Sequence, residues 1–195
     1  MITTFVGPMF SGKSDSLINI YNKIWNKNIV IAFKPANDSR DENFIKSKNW
    51  ETKIPAFYIK DLSEMRAFLE GGKYKTVFID EAQFLEGDTS VLTDLSVRYD
   101  IDFYIAGLNM TSEQNPFGIM PKILAVSNNV QVITGFCEEC NKPSYYTYYD
   151  GEKSGDVLVG DNKYKSLCPA CLAKKYESVK IRSKSKKGRK SCKEN

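Results

Sequence analysis

Short, predominantly apolar runs recur along the first two-thirds of the chain, at residues 2–6, 28–33, 54–59, 76–79, 102–106 and 130–134. Such runs, lacking polar alternation, predict strands buried on both faces. Between several of them apolar positions recur at helical spacing instead. Leu17, Ile18, Tyr21, Ile24 and Trp25 do so within 14–27, and residues 90–99 repeat the pattern. A shorter helix is predicted at about 63–70, closed by Gly71 and Gly72. Residues 34–53, rich in Asn, Ser and charge, show no period and predict a long loop. Strands alternating with helices predict an α/β fold in which a parallel sheet is covered on both faces and ligands sit at the carboxyl ends of its strands. From Phe136 onward the composition shifts to Cys, Tyr, Lys and Gly. The predicted organisation is therefore a main domain over 1–135, a small one over 136–178 and a tail over 179–195.

The turn after the first apolar run reads GPMFSGKS. It fits the GxxxxGK[ST] phosphate-binding loop: Gly7, Pro8, Met9, Phe10, Ser11 and Gly12 bend the backbone so that N–H groups face phosphates. Lys13 reaches the outer phosphates, and the Ser14 hydroxyl is offered to Mg²⁺. A plain glycine turn is the simpler reading, but the order strand, loop, helix favours a nucleoside triphosphate site on a sheet of the P-loop NTPase type. Asp80 follows the apolar run 76–79, where such a protein places its second Mg²⁺ partner. Glu81 is next to it, and on an extended backbone neighbouring side chains point to opposite sides, so one carboxylate can serve the metal and the other a substrate. In phosphoryl transfer that leaves Glu81 as candidate base and Arg40, on the predicted loop, as candidate cation for the transferred group. An ordinary surface arginine is an equally good reading of Arg40 taken alone.

The cysteines carry a second signal. Cys137 and Cys140 form one CxxC pair and Cys168 and Cys171 another, 27 residues apart, a spacing that can close a tetrahedral four-thiolate zinc site of structural type. The chain has no histidine, so zinc must be held by cysteines or carboxylates and any general base must be something other than imidazole. Paired disulfides are the competing reading; the absence of a signal-peptide pattern and of any run long enough to span a bilayer predicts a reducing, cytoplasmic setting that disfavours them. Cys192 has no CxxC partner and is predicted to be a free thiol.

Charge refines this picture. The formal net charge of +4 conceals residues 180–195, where eight Lys or Arg against one Glu give +7 and leave −3 for the rest of the chain. The tail lacks apolar periodicity and is predicted to be disordered, a solvated segment or a contact for a polyanion such as nucleic acid. The remainder is a poor surface for a phosphate backbone.

Taken together, GPMFSGKS, FKPANDSR ending at Arg40, FIDEAQF ending at Phe84, GLNM from Gly107, NPFG from Asn115 and VGDNKY between the two CxxC pairs resemble thymidine kinases of the zinc-containing cellular type, in the family's order from about Ile2 to Cys171. The resemblance implies a P-loop α/β kinase domain and a small zinc-ribbon domain bearing a lasso loop over the nucleoside. It further implies a homotetramer and inhibition by the end product dTTP. Matched position by position, the family's base falls on Glu81 and its phosphate-site arginine on Arg40. Met9, Phe84, Leu108, Phe117 and Tyr164 fall where the family encloses thymine, and Val159 and Gly160 fall in the lasso. The chain departs from the family at Ser112, where many members have phenylalanine, and at Asn109, where aspartate is usual. Its Gly160-Asp161 replaces a glycine pair in a lasso one residue shorter, a feature shared with phage-like members and compatible, with the Lys- and Asn-rich composition, with a viral source.

The implied activity is ATP-dependent phosphorylation of thymidine, and of deoxyuridine, at the 5′-hydroxyl, using ATP, Mg²⁺ and a structural Zn²⁺. Two alternatives stay open: a deoxynucleoside kinase of altered base preference, and a zinc-ribbon P-loop ATPase that binds nucleic acid.

Overall fold

The apolar runs form strands, and the central ones are predominantly apolar because both of their faces are covered. In the computed structural model, which describes residues 1–37, 43–47, 49–151 and 163–177, the order of elements begins β1 (Ile2–Val6), α1 (Lys13–Lys23), β2 (Val30–Pro35), β3 (Phe44–Ser47) and β4 (Trp50–Pro55). It continues with β5 (Phe57–Ile59), α2 (Arg66–Leu69), β6 (Thr76–Ile79), α3 (Ser90–Tyr99), β7 (Asp102–Gly107), α4 (Met120–Val126) and β8 (Asn129–Val132). The last part holds β9 (Gly135–Phe136), β10 (Pro143–Ser144), β11 (Tyr146–Tyr149), β12 (Tyr164–Leu167) and a helix α5 over 169–177.

Six strands make one sheet in the order β5-β2-β6-β7-β1-β8, with every pair parallel. The two-residue period of each strand divides its side chains between two cores. Ile31, Phe33, Val77, Ile79, Phe103 and Ile105 join α3 and α4 residues such as Leu92, Leu95 and Ile123 in the larger core. Ala32, Phe78 and Ala106 face the other way and pack with Leu17 and Ile18 of α1. The predicted α/β architecture is thus the observed one.

Four expectations change, the first being the predicted strand at 54–59, which divides between β4, paired with β3, and β5 at the edge of the six-stranded sheet. Residues 34–53 do not form an unbroken loop: β3 and β4 pair antiparallel within them, pinned by Ile45 and Ile54, each 1% exposed, in the core beneath α1. The predicted first helix stops at Lys23, and Ile24 is extended. Lys27 Nζ donates to the carbonyls of Tyr21 and Ile24, satisfying the helix end, and Trp25 beyond it is 98% exposed. The predicted helix at 63–70 splits into a 3₁₀ turn (Leu62–Met65) with a capping box from Asp61 to Glu64 and the single turn α2. Its end is the Gly71-Gly72 turn, where Gly72 has φ +68 and a Cβ on Gly71 would meet nothing within 4 Å. Helix α4, with Pro121 in its first turn, was not predicted.

A third, small core gathers Cys137, Leu167, Cys168 and Leu172 under the β11–β12 hairpin. No helix among the described residues is long and apolar enough to cross a membrane.

Phe78, fully buried, has its ring stacked on Tyr104 at 5.5 Å and edge-on to Tyr21 at 6.1 Å. Truncating it removes both aromatic contacts and opens a cavity under α1. Phe78→Ala is therefore expected to lower the free energy of unfolding by about 3–5 kcal/mol. Urea denaturation checks this, and a loss below about 1 kcal/mol would contradict the packing described.

Candidate active site

The site is assembled at the carboxyl ends of β1, β6 and β7. After Val6 the chain turns at Gly7, where a Cβ would lie 2.0 Å from the Ile133 carbonyl oxygen, so only glycine fits against that backbone. Phe10 and Gly12 take positive φ angles of 63° and 86°, which fold residues 7–12 into a compact loop opening onto α1. Lys13 begins the helix and its Nζ donates to the Pro8 carbonyl across the loop at 2.6 Å. Ser14 Oγ donates to Asp80 Oδ2 at 2.8 Å, joining the phosphate-loop motif to the end of β6 over 66 residues of sequence.

Asp80 is 9% exposed. Burial, and next the neighbouring Glu81 carboxylate, push its carboxyl up to about 6, against the Ser14 hydroxyl, the Glu81 N–H and Lys13, which favour the charge. Glu81 is not extended as expected. It has φ 51° and starts the 3₁₀ turn Ala82–Phe84, so the change of direction, rather than strand alternation, separates its side chain from that of Asp80.

Beyond this turn lie the groups matched to a nucleobase pocket. Phe84 and Phe117 meet edge to face with centroids 5.4 Å apart. Phe117 is held because its N–H donates to the Asn109 carbonyl (3.1 Å), while Thr111 N–H donates to the Asn115 carbonyl (2.9 Å). The GLNM and NPFG motifs are thus the two ends of one closed loop. Met9, Phe84, Leu108, Phe117 and Tyr164 are all half-buried, leaving apolar surface for a ligand. Tyr164, on β12, lies against the Tyr149 ring at 4.9 Å. Arg40, Val159, Gly160, Asp161 and Cys192 lie outside the described residues.

Two residues of the site escaped the sequence reading. Thr147 of β11 accepts the Met9 N–H through Oγ1 at 2.9 Å, tying the C-terminal hairpin to the phosphate loop. Gln83, 3% exposed, donates through Nε2 to Glu81 Oε2 and accepts the Leu108 N–H at Oε1 (2.9 Å). The available signals were a hydroxyl amid tyrosines and a polar side chain in an otherwise buried turn.

The thiols of Cys137, Cys140, Cys168 and Cys171 lie within 4.8 Å of one another and are not joined in disulfides. The 3.6 Å between Cys140 Sγ and Cys168 Sγ is close to the roughly 3.8 Å edge of a tetrahedron with Zn–S bonds near 2.3 Å. Burial raises the Cys137 thiol, but backbone N–H groups of Cys168, Glu139 and Cys140 outweigh it and bring it down to about 6. Hydrogen bonds with Cys140 and Cys168, and then burial, push Cys171 up to about 12. Four thiols gathered this closely without disulfides fit a soft dication, which would favour their thiolate forms.

Comparison with known proteins agrees with this geometry. The family model for thymidine kinase matches residues 1–172. A protein named thymidine kinase from Onion yellows phytoplasma (strain OY-M) is 34% identical over 172 residues, covering 84% of this chain and 81% of its own. Another from Mycoplasma genitalium is 33% identical over 187 residues, covering 91% and 86%. One from Mesomycoplasma hyopneumoniae (strain 7448) is 28% identical over 173 residues, covering 88% and 94%.

Asp80 yields a signed expectation. Its carboxyl titrates near 6 when folded against about 3.8 when unfolded, so the folded chain binds the extra proton and stability falls as pH rises through that window. Asp80→Asn removes the buried charge. Without added Mg²⁺ it is expected to be more stable than the parent at pH 7.5, by up to about 3 kcal/mol, and similar to it near pH 4. Thermal melts at the two pH values check this; a variant less stable at pH 7.5 would refute it.

Proposed function

The chain belongs to the thymidine kinase family, and we propose that it transfers the γ-phosphoryl group of ATP to the 5′-hydroxyl of thymidine, and also of deoxyuridine, giving the nucleoside monophosphate and ADP. The observation that carries this reading is the Ser14–Asp80 hydrogen bond, which brings the phosphate loop to the strand end bearing Glu81. A triphosphate site and a carboxylate base candidate thereby share one edge of the sheet, beside the Phe84–Phe117 pair.

Each residue then has a task. The backbone N–H groups of the loop and Lys13 hold the triphosphate. The hydroxyl of Ser14 and the carboxylate of Asp80 are hard oxygen donors suited to Mg²⁺, which when bound offsets charge on the phosphate oxygens. Glu81 accepts the proton of the 5′-hydroxyl as its oxygen bonds to the γ-phosphorus and the bond to ADP breaks. Arg40, matched to the family's phosphate-site arginine, stabilises charge on the transferred group. Met9, Phe84, Leu108, Phe117 and Tyr164 enclose the base, with Val159 and Gly160 of the lasso reading its edge. Cys137, Cys140, Cys168 and Cys171 hold a structural Zn²⁺ in a unit spanning 136–178, which is distinct from the kinase unit over 1–135.

Assembly into a homotetramer and inhibition by dTTP belong to the same proposal. The exposed Val130 and Val132 on edge strand β8 support self-association. dTTP presents the same base to the pocket and a triphosphate to the loop. Four thiols free of disulfides support a cytoplasmic setting.

A nucleoside panel with ATP and Mg²⁺ tests the function. Thymidine and deoxyuridine are expected far ahead of deoxycytidine and deoxyguanosine, whose edges would leave buried polar groups unpaired. Glu81→Gln is expected to keep ATP affinity while turnover falls by roughly 10² to 10⁴. If no nucleoside is phosphorylated while single-stranded DNA accelerates ATP hydrolysis, the nucleic-acid ATPase reading replaces this one.

Metal analysis of the purified chain is expected to find about one zinc per molecule. Cys168→Ser should lose it and melt the 136–177 region first, as followed by amide hydrogen exchange. Zinc-free wild-type protein with all four thiols freely reactive would overturn the assignment.

A further inference from the structure

Gln83 lies two residues after Glu81 and is almost wholly buried. Both halves of its amide are engaged: Nε2 donates to Glu81 Oε2, and Oε1 accepts the Leu108 N–H at 2.9 Å. Two glycines make room for it. A Cβ on Gly107 would stand 2.9 Å from Gln83 Oε1 and 2.7 Å from Met120 Sδ, and one on Gly118 would stand 2.1 Å from the Gln83 carbonyl oxygen. Backbone therefore confines this residue on two sides.

We propose that Gln83 is a positioning residue whose amide clamps the Glu81 carboxylate to the backbone at Leu108, so that the proton acceptor and the floor of the nucleobase pocket are held in one register. The proposal rests on the kinase reading above. An amide does not take up a proton at ordinary pH, so Gln83 acts on the reaction only through the groups it holds. Its N–H donor fixes which way the carboxylate oxygens face, and so where the hydroxyl proton can be accepted. Its acceptor satisfies a strand-end N–H that has to stay fixed if the ring above Leu108 is to set the distance from the 5′-oxygen to the base. Small misplacement of a reacting group is costly: an error of about 1 Å can lower the rate about 10²-fold.

Steady-state kinetics of the full chain, with ATP and thymidine each varied, test this. Gln83→Leu keeps bulk and loses both hydrogen bonds; kcat is expected to fall about 10²-fold with KM for ATP unchanged, since the phosphate loop is untouched. Gln83→Glu can still accept the Leu108 N–H but no longer donates to Glu81, so kcat is expected to fall nearly as far as in Gln83→Leu, again with KM for ATP unchanged. A purely structural role would lower kcat by the same factor whether or not Glu81 is present. In a Glu81→Gln background, Gln83→Leu is expected to cost almost nothing more, because the residue acts through Glu81. Additive losses, or a Gln83→Glu enzyme that keeps the parental kcat, would overturn the proposal. If circular dichroism shows that Gln83→Leu does not fold, kcat of Gln83→Glu, alone and in the Glu81→Gln background, decides. A wild-type chain that phosphorylates no nucleoside removes the kinase reading, whereas an active wild type with additive Gln83 losses removes only the clamp.

Discussion

All six strands of the central sheet run the same way, and this constraint determines where chemistry can occur. Parallel strands end together, so β6, β7 and β1, neighbours in that order, deliver Asp80, Leu108 and the phosphate loop to one edge. With strands spaced about 4.8 Å apart, the ends of β6 and β1 lie about 10 Å from each other. The first turn of α1 closes that gap by offering Ser14 to Asp80. A crossover connection is obligatory between parallel neighbours, and the helices that make it supply the apolar cover which lets the strands be apolar on both faces.

The same edge concentrates electrostatic tension. Burial, and next the adjacent Glu81 carboxylate, leave Asp80 with a carboxyl that resists ionisation. The left-handed residue at Glu81 turns the second carboxylate away and into the reach of the Gln83 amide. Ser14 donates to Asp80 and the Gln83 amide donates to Glu81, so each carboxylate is held by a hydrogen-bond donor of its own.

How much of this was legible in the sequence follows from local physics. Buried parallel strands announce themselves as unbroken apolar runs, so the cores of β1, β2, β6 and β7 were readable, as was α3 from its stripe. The β3–β4 hairpin was not, because Ile45 and Ile54, which anchor it, stand among polar and charged residues and the turn between them carries no glycine signature. Helix α4 is only seven residues long, too short for periodicity to emerge. Within the site, residues with dedicated chemistry such as Lys13, Asp80 and the four cysteines stand out by type and spacing. Gln83 and Thr147 do not, since an amide or a hydroxyl becomes informative only when the fold shows what it touches.

The one-way sheet also has an idle end. The turns that feed the amino ends of β6, β7 and β8, at residues 70–75, 100–101 and 127–128, hold none of the residues that meet at the phosphate loop. Gly71 sits in the first of these with open space where a side chain would begin. A fluorophore, affinity tag or surface tether attached there leaves from the opposite pole of the molecule. That spot is the natural handle for watching or immobilising this chain without touching its chemistry.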